Sequence, residues 1–202
     1  MGVSGCGKST VGADLARKFR IQFVDGDSLH PKSNVEKMTK GIPLNDEDRF
    51  PWLTIIRKEA AKQTSPDALH DFYSGNNLQD PQQPRAGIVI ACSALKRTYR
   101  DLLRGSTHDD TRLDESHANL ETYFVYLKGS RELLTERMKN RKGHFMATKM
   151  LDSQLETLEE PSEKEEHTEG VFEVSIDASE EEVVNKAVKA VSAGVGFKIL
   201  EQ

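Results

Sequence analysis

Val11, Leu15, Ala16 and Phe19 recur at the spacing of one helical face, which predicts a helix over residues 8–19. A short β-prone run at 21–24 ends in the turn sequence Asp25-Gly26-Asp27, and Pro31 suits the first position of a following helix. Trp52, Ile55, Ile56 and Ala60 mark a second amphipathic helix over 46–62, with Trp52 read as core. Residues 88–92 are continuously apolar, as in a strand buried on both faces of a parallel sheet. The pattern then predicts helices over 94–103, 131–141 and 147–158, strands over 123–127 and 171–176, and a closing helix over 180–191. Strands alternating with helices imply an α/β fold, a parallel sheet covered by helices on both faces. Residues 65–87 and 105–121 are polar without apolar period and read as surface insertions; the acidic stretch 159–169 reads as a solvated segment. There is no internal repeat.

With 202 residues, residues 1–202 are expected to form a single domain with its own core. At 36% hydrophobic and 30% charged residues the composition is that of a soluble globular protein. The longest apolar run, 88–92, is far too short to cross a bilayer, so no membrane partner is expected. Two cysteines cannot build a disulfide framework and the first residues lack a secretory layout, so a cytoplasmic location is expected. A Met-Gly start suits myristoylation only with Ser or Thr at position six, where Cys6 stands. A net charge of −5 argues against a nucleic-acid partner, so any phosphate site is local.

That local site is legible in Gly2-Val3-Ser4-Gly5-Cys6-Gly7-Lys8-Ser9, a complete GxxxxGK[ST] phosphate loop opening a helix. Glycines let backbone N–H groups turn around phosphate oxygens, Lys8 reaches the outer phosphates, and Ser9 can ligate Mg²⁺. Residues 2–9 with Thr10 are the expected nucleotide-binding set. A guanine-reading Asn-Lys-x-Asp is absent, since Asn185-Lys186 continues into Ala187-Val188. A mechanical ATPase is usually larger, so the small size favours a metabolite kinase. Asp27, just past a strand end, is the candidate base that orients an acceptor hydroxyl and takes its proton. Asp25 is read equally well as a site residue or as the cap of an Asp-Gly turn.

Asp25-Gly26-Asp27-Ser28-Leu29-His30-Pro31, Asn34-Val35-Glu36-Lys37-Met38 and Gly41-Ile42-Pro43-Leu44-Asn45-Asp46-Glu47-Asp48-Arg49 resemble the acceptor side of the gluconate kinase family. Pro51-Trp52-Leu53, Cys92-Ser93-Ala94-Leu95-Lys96 with Tyr99-Arg100-Asp101-Leu102-Leu103, Arg141-Lys142-Gly143-His144-Phe145 and Leu155-Glu156-Thr157-Leu158-Glu159-Glu160-Pro161 continue the resemblance, which breaks at the two insertions. It implies ATP- and Mg²⁺-dependent phosphorylation of D-gluconate to 6-phospho-D-gluconate. The implied fold is a P-loop kinase like shikimate and nucleoside monophosphate kinases, with a helical lid over about 131–160. Lys8 and Asp27 are the implied catalytic residues, and Asp27, His30, Arg49 and Lys96 the gluconate contacts. Arg137 and Arg141 are the lid cations expected against ATP. Arg49 is the candidate carboxylate reader because a planar fork suits bidentate recognition; its alternative is a surface pair with Asp46 or Asp48. For His30 the alternative is a helix cap, and for the lid arginines a solvated basic face. A kinase for another small acid, shikimate included, and a non-catalytic nucleotide module are the rival readings, and a homodimer is left open.

A phosphate loop normally follows a buried strand, yet only Met1 precedes Gly2. The central strand of the sheet is therefore expected to be missing from these 202 residues, with about ten further N-terminal residues expected in the functional protein.

Overall fold

The structure, a computed structural model, describes residues 1–75, 87–106, 120–139 and 144–196. Helix α1 (Lys8–Phe19) buries Val11, Leu15, Ala16 and Phe19, the positions its periodicity marks. Arg20 ends it in the left-handed region (φ 55°), and the Ile21 N–H returns to the Ala16 carbonyl at 2.9 Å. That stop turns the chain directly into strand β1 (Gln22–Asp25). After a 3₁₀ turn (Gly26–Leu29) come α2 (Lys32–Thr39) and α3 (Asp46–Gln63). Asn45 starts α3 with a reciprocal cap: its side chain accepts from the Asp48 N–H while the Asp48 carboxylate accepts from the Asn45 N–H.

Strand β2 (Ile88–Ala91) runs parallel to β1, with Gln22 opposite Ile88 and Asp25 opposite Ala91. Helix α5 (Arg97–Arg104) leads toward β3 (Phe124–Lys128), which is parallel to β4 (Val171–Ser175). Among the described residues these are two separate two-stranded sheets, and Met1 stands between them. The Met1 carbonyl accepts from the Leu127 N–H at 3.0 Å, its amino group donates to the Val125 carbonyl, and the next N–H, on Gly2, donates to the Ser93 carbonyl at 3.1 Å. This is the bonding of one residue in a parallel strand between β2 and β3. Beside it lies a cavity of about 600 Å³ lined by Ile88, Val89 and Ile90, by Phe124 and Val125, and by Leu15. The expected fully buried strand at 88–92 is accordingly only half-buried over its first three residues, because its open edge meets that cavity.

Helix α1 packs on β1, β2 and α9 (Glu180–Val195), which in turn covers β4. Helix α3 packs on β2 and α5. The second half of the chain adds α6 (Arg131–Lys139), α7 (His144–Thr157) and α8 (Glu163–Thr168). One cluster of buried apolar side chains runs from Val11 and Phe19 through Trp52, Leu95 and Leu134 to Ile176 and Val188. No helix among the described residues is long and apolar enough to cross a membrane.

Three expectations change. The polar stretch 65–87 opens with a helix, α4 (Pro66–Gly75), while 76–86 and most of the second insertion, 107–119, lie outside the described residues. Helix α5 starts at Arg97 rather than 94, since Ala94 holds φ 42°, where no right-handed helix can begin. The acidic stretch 159–169 is not simply solvated: it contains α8, and Glu165 is 2% exposed against Arg100.

Candidate active site

The phosphate loop occupies the carboxyl edge of the strands, between the end of β3 and the start of α1. Gly5 holds φ 83°, and a Cβ there would lie 3.0 Å from the Met138 side chain on α6. Gly7 precedes α1 at φ 92° and offers no side-chain cap, which leaves the first-turn amides of a twelve-residue helix available to an anion. Val3 and Cys6 are buried and anchor the loop, whereas Ser9 and Thr10 are exposed. The loop therefore presents mainly its backbone. Lys8 folds back over it, and its Nζ donates to the Val3 carbonyl at 2.9 Å. Three loop amides already have partners: besides Gly2, the Cys6 N–H donates to the Val3 carbonyl at 3.4 Å and the Ser4 N–H donates to Gln154 Oε1, on α7, at 2.6 Å.

Asp25 ends β1 level with the end of β2, and its two oxygens do different things. Oδ2 accepts the Ser9 hydroxyl at 2.7 Å, and Oδ1 accepts the Asp27 N–H at 3.1 Å, capping the 3₁₀ turn. The cap reading of Asp25 holds, and its second oxygen faces the phosphate loop. The Ser9 hydroxyl and the Asp25 carboxylate form an oxygen pair of the kind that holds Mg²⁺ together with substrate phosphates. Among the described residues no cluster of three or more His, Cys, Asp or Glu side chains forms a protein-only metal cage, which fits a metal that shares its ligands with phosphate. Sequence reading named Ser9 alone; the signal for Asp25 was its place at a strand end.

Asp27 is turned outward, its side chain 79% exposed, with His30 Nε2 4.0 Å away. The His30 ring stacks on Trp52 at 4.0 Å and is almost wholly buried, and the Asn34 amide nitrogen lies 3.3 Å from its Nδ1. Burial holds the imidazole below its ordinary pKa, with the Asp27 charge opposing and Arg49 assisting. It is thus neutral near pH 7, and the Asn34 donor leaves its proton on Nε2, toward Asp27. Trp52 is core, as expected, and its indole N–H donates to the Gly26 carbonyl at 2.8 Å, fixing the Asp25-Gly26-Asp27 turn from below.

Besides His30, three cations lie on the acceptor side, Lys37, Lys96 and Arg49, and their partners separate them. Lys37 bonds both oxygens of Asp48 at 2.6 and 2.8 Å. Lys96 bonds both oxygens of Asp46 at 2.8 Å, and the Tyr99 hydroxyl donates to the same carboxylate. The Lys96 and Tyr99 bonds hold the Asp46 carboxyl below its usual range, and Lys37 does the same for Asp48. Arg49 is 7% exposed, and no carboxylate among the described residues pairs with it. Its one polar contact is Nη1 to the Tyr99 oxygen at 3.4 Å, and its guanidinium stands 5.9 Å from the Tyr99 ring centroid. Arg49, Lys96, Asp46 and Thr157 line an open polar crevice of about 470 Å³. The larger cavity between the sheets has apolar walls and suits no sugar acid.

Arg137 lies in the last turn of α6, whose neighbour Met138 packs on Gly5, and its Nη2 donates to the Ile176 carbonyl beyond β4 at 2.8 Å. Arg141 lies outside the described residues. The structure thus brings Lys8, Ser9, Asp25 and Asp27 to one edge, sets Tyr99 between Arg49 and Asp46, and puts Gln154 on the loop, a contact sequence reading missed. Gln154 had no local signal, because its partner is 150 residues away in the chain.

The family model for shikimate kinase matches residues 4–52, the span from the phosphate loop to Trp52. The thermoresistant gluconokinase of Escherichia coli is 41% identical over 194 residues, covering 96% of this chain and 92% of that protein. A probable gluconokinase of Mus musculus is 42% identical over 197 residues, covering 94% of each. Among solved structures, a gluconokinase from Sinorhizobium meliloti superposes with a TM-score of 0.70 at 37% identity, over 96% of this chain and 89% of that one. A phosphate loop with an Asp-Gly-Asp turn beside it, and near-complete alignment at about 40% identity, lead to one conclusion: this chain belongs to the gluconokinase family.

Proposed function

We propose that this protein transfers the terminal phosphoryl group of ATP to D-gluconate, giving 6-phospho-D-gluconate and ADP, as one cytoplasmic kinase domain with its lid over about 131–160. The observation on this chain's own residues that carries the substrate is Arg49. A guanidinium buried beside a polar crevice, with no carboxylate ion pair among the described residues, gains from a small organic anion, and bidentate pairing with a planar carboxylate suits it. Lys96 and Asp46 then offer a donor and an acceptor to the hydroxyls of a polyol chain.

The loop amides and Lys8 hold the phosphates, and Lys8 acts on the charge that develops as the terminal group departs. Ser9 and Asp25 would hold Mg²⁺, which supplies charge neutralisation between the phosphates when bound. Asp27 accepts the proton of the acceptor hydroxyl while that oxygen forms its bond to phosphorus and the bond from phosphorus to the ADP oxygen breaks. Arg137 and Arg141 are the lid cations of this reading.

The test is ADP release with gluconate, other sugar acids, shikimate and glucitol as acceptors, for the wild type and Arg49→Ala. Gluconate should be the best acceptor, and the substitution should raise its KM by roughly 10- to 100-fold, the worth of a charge-assisted hydrogen bond, while leaving weak turnover of uncharged glucitol unchanged. Equal harm to both acceptors would make Arg49 structural. Preference for shikimate, which the match over residues 4–52 keeps in view, would replace the substrate. Nucleotide binding with no turnover on any acceptor would reduce the protein to a binding module.

A further inference from the structure

The contact between Ser4 and Gln154 joins positions 150 residues apart, and nothing in the reading above uses it. The half of α7 that carries Gln154 is firmly seated. Leu151, one turn earlier, is fully buried, Leu155 packs on the core, and Asp152 pairs with Arg131 of α6 at 2.7 Å. Just past the helix, the Glu159 N–H donates to the Leu95 carbonyl at 2.8 Å. Gln154 therefore sits on the loop from a fixed support. Thr157, three residues on and so a neighbour on the same helix face, lines the acceptor crevice with Arg49 and Lys96. The last turn of α7 thus touches the phosphate loop through Gln154 and the acceptor crevice through Thr157.

The transferring phosphoryl group has to pass between those two places. The carboxamide of Gln154 is divided in a useful way. Its oxygen is engaged by the Ser4 N–H, and its nitrogen, with two N–H donors, makes no hydrogen bond among the described residues. An amide nitrogen lies about 2.3 Å from its own oxygen, so those donors stand within roughly 5 Å of the Ser4 nitrogen, at the loop.

We infer that Gln154 is a ligand of the terminal phosphate of the nucleotide: its oxygen stays on the Ser4 N–H and its NH₂ donates to the phosphoryl group being transferred. This rests on the reading of the protein as an ATP-dependent kinase. The donor completes the charge-stabilising set at the one phosphate that moves, and so distinguishes ATP from ADP.

The test is binding and needs no turnover. Gln154→Glu keeps the oxygen for Ser4 but replaces the two donors with a negative oxygen; Gln154→Met removes both functions at similar size. Affinities for ADP and for a non-hydrolysable ATP analogue are measured by calorimetry on the full chain, with thermal melts as the folding control. For Gln154→Glu the expected result is ADP affinity within about threefold of wild type and analogue affinity at least about tenfold weaker, the scale of one charge-assisted hydrogen bond. Gln154→Met should weaken the analogue more than ADP as well. Wild-type affinities in Gln154→Glu would show that the side chain only braces Ser4 and overturn the inference. Equal weakening of both nucleotides would assign it to loop shape, and tighter analogue binding by Gln154→Met would show competition with phosphate; either overturns it. Failure to phosphorylate gluconate with the expected affinities intact would sink the substrate reading and leave this one standing.

Discussion

At the scale of single residues, two carboxylates two positions apart receive opposite roles from their surroundings. Both oxygens of Asp25 are engaged, by the Ser9 hydroxyl and the Asp27 N–H, so it is an oriented acceptor with little freedom. The Asp27 side chain is exposed and faces a neutral His30 proton at long range. Of the two, Asp27 has the freedom that the proposed base needs to meet an incoming hydroxyl. Asp27→Asn should keep nucleotide affinity and melting temperature while lowering kcat by at least about a hundredfold, the usual scale for a positioned base. Steady-state kinetics beside a nucleotide titration check this, and turnover within a few-fold of wild type sinks the role. The place of Asp27 at a strand end was legible because it follows a strand in an Asp-Gly-Asp turn. The role of Asp25 was left open because the Ser9 hydroxyl that decides it sits on another element, sixteen residues away.

Between elements, the clearest bond is the clasp of α5 on α8. Arg100 reaches Glu165 through Nε at 2.6 Å and Nη2 at 2.9 Å, and Arg97 and Arg104 flank it on the same helix face, with Arg97 pairing to Glu169 at 2.7 Å. Burial pushes the Glu165 carboxyl up, but the Arg100 bonds, the Ser162 N–H and the nearby arginine charges outweigh it and bring it down to about 2. A carboxyl at about 2 when folded and 4.5 when unfolded binds its proton more weakly in the folded state. Its contribution is therefore complete above pH 4.5 and is lost as pH falls toward 2, on the order of 3 kcal/mol in all. Glu165→Gln should unfold about 3–5 kcal/mol more easily at pH 7, since it leaves a buried guanidinium without its anion. That gap should narrow between pH 4.5 and 3 as the wild type approaches the variant. Urea denaturation of both proteins across this range measures it, and parallel stability curves would rule out the linkage. The sequence pattern showed α5 as a helix but took 159–169 for solvated surface, because an acidic run looks the same whether its arginine partners are absent or some sixty residues away.

For the molecule as a whole, the decisive feature is the slot between the two parallel pairs. Met1 already bonds as one strand residue there, and its amino group is pushed down to about 6 by burial. An engineered five-residue Val/Ile-rich extension ahead of Met1 should continue that strand into the cavity between β2 and β3. Two buried aliphatic side chains at about 1.5–3 kcal/mol each, with about 2–4 °C per kcal/mol for a chain of this size, give a rise of at least about 6 °C in Tm. A Gly/Ser extension of equal length also replaces the buried amine by a peptide N–H but fills nothing, and serves as the control. Calorimetric melts decide: if the apolar extension gains no more than the Gly/Ser one, the slot does not accept a strand.

What the sequence determined by itself was everything that depends on neighbours in the chain. The phosphate loop, α1, the Asp-Gly-Asp turn and the apolar stripe of α9 are contiguous or periodic signals, and hydrogen bonding within a helix or turn needs no distant partner. Tertiary structure alone decided which charged groups remain free to act. Arg49, Lys37 and Lys96 look alike in sequence. They differ because Asp48 takes Lys37 and Asp46 takes Lys96, while no carboxylate among the described residues forms an ion pair with the buried Arg49. The same holds for Gln154 on the phosphate loop and for Glu165 in its arginine clasp. In each case the chemistry is set by a distance of about 3 Å between groups that the chain order keeps apart, and only the packing of helices on the strands brings them within reach.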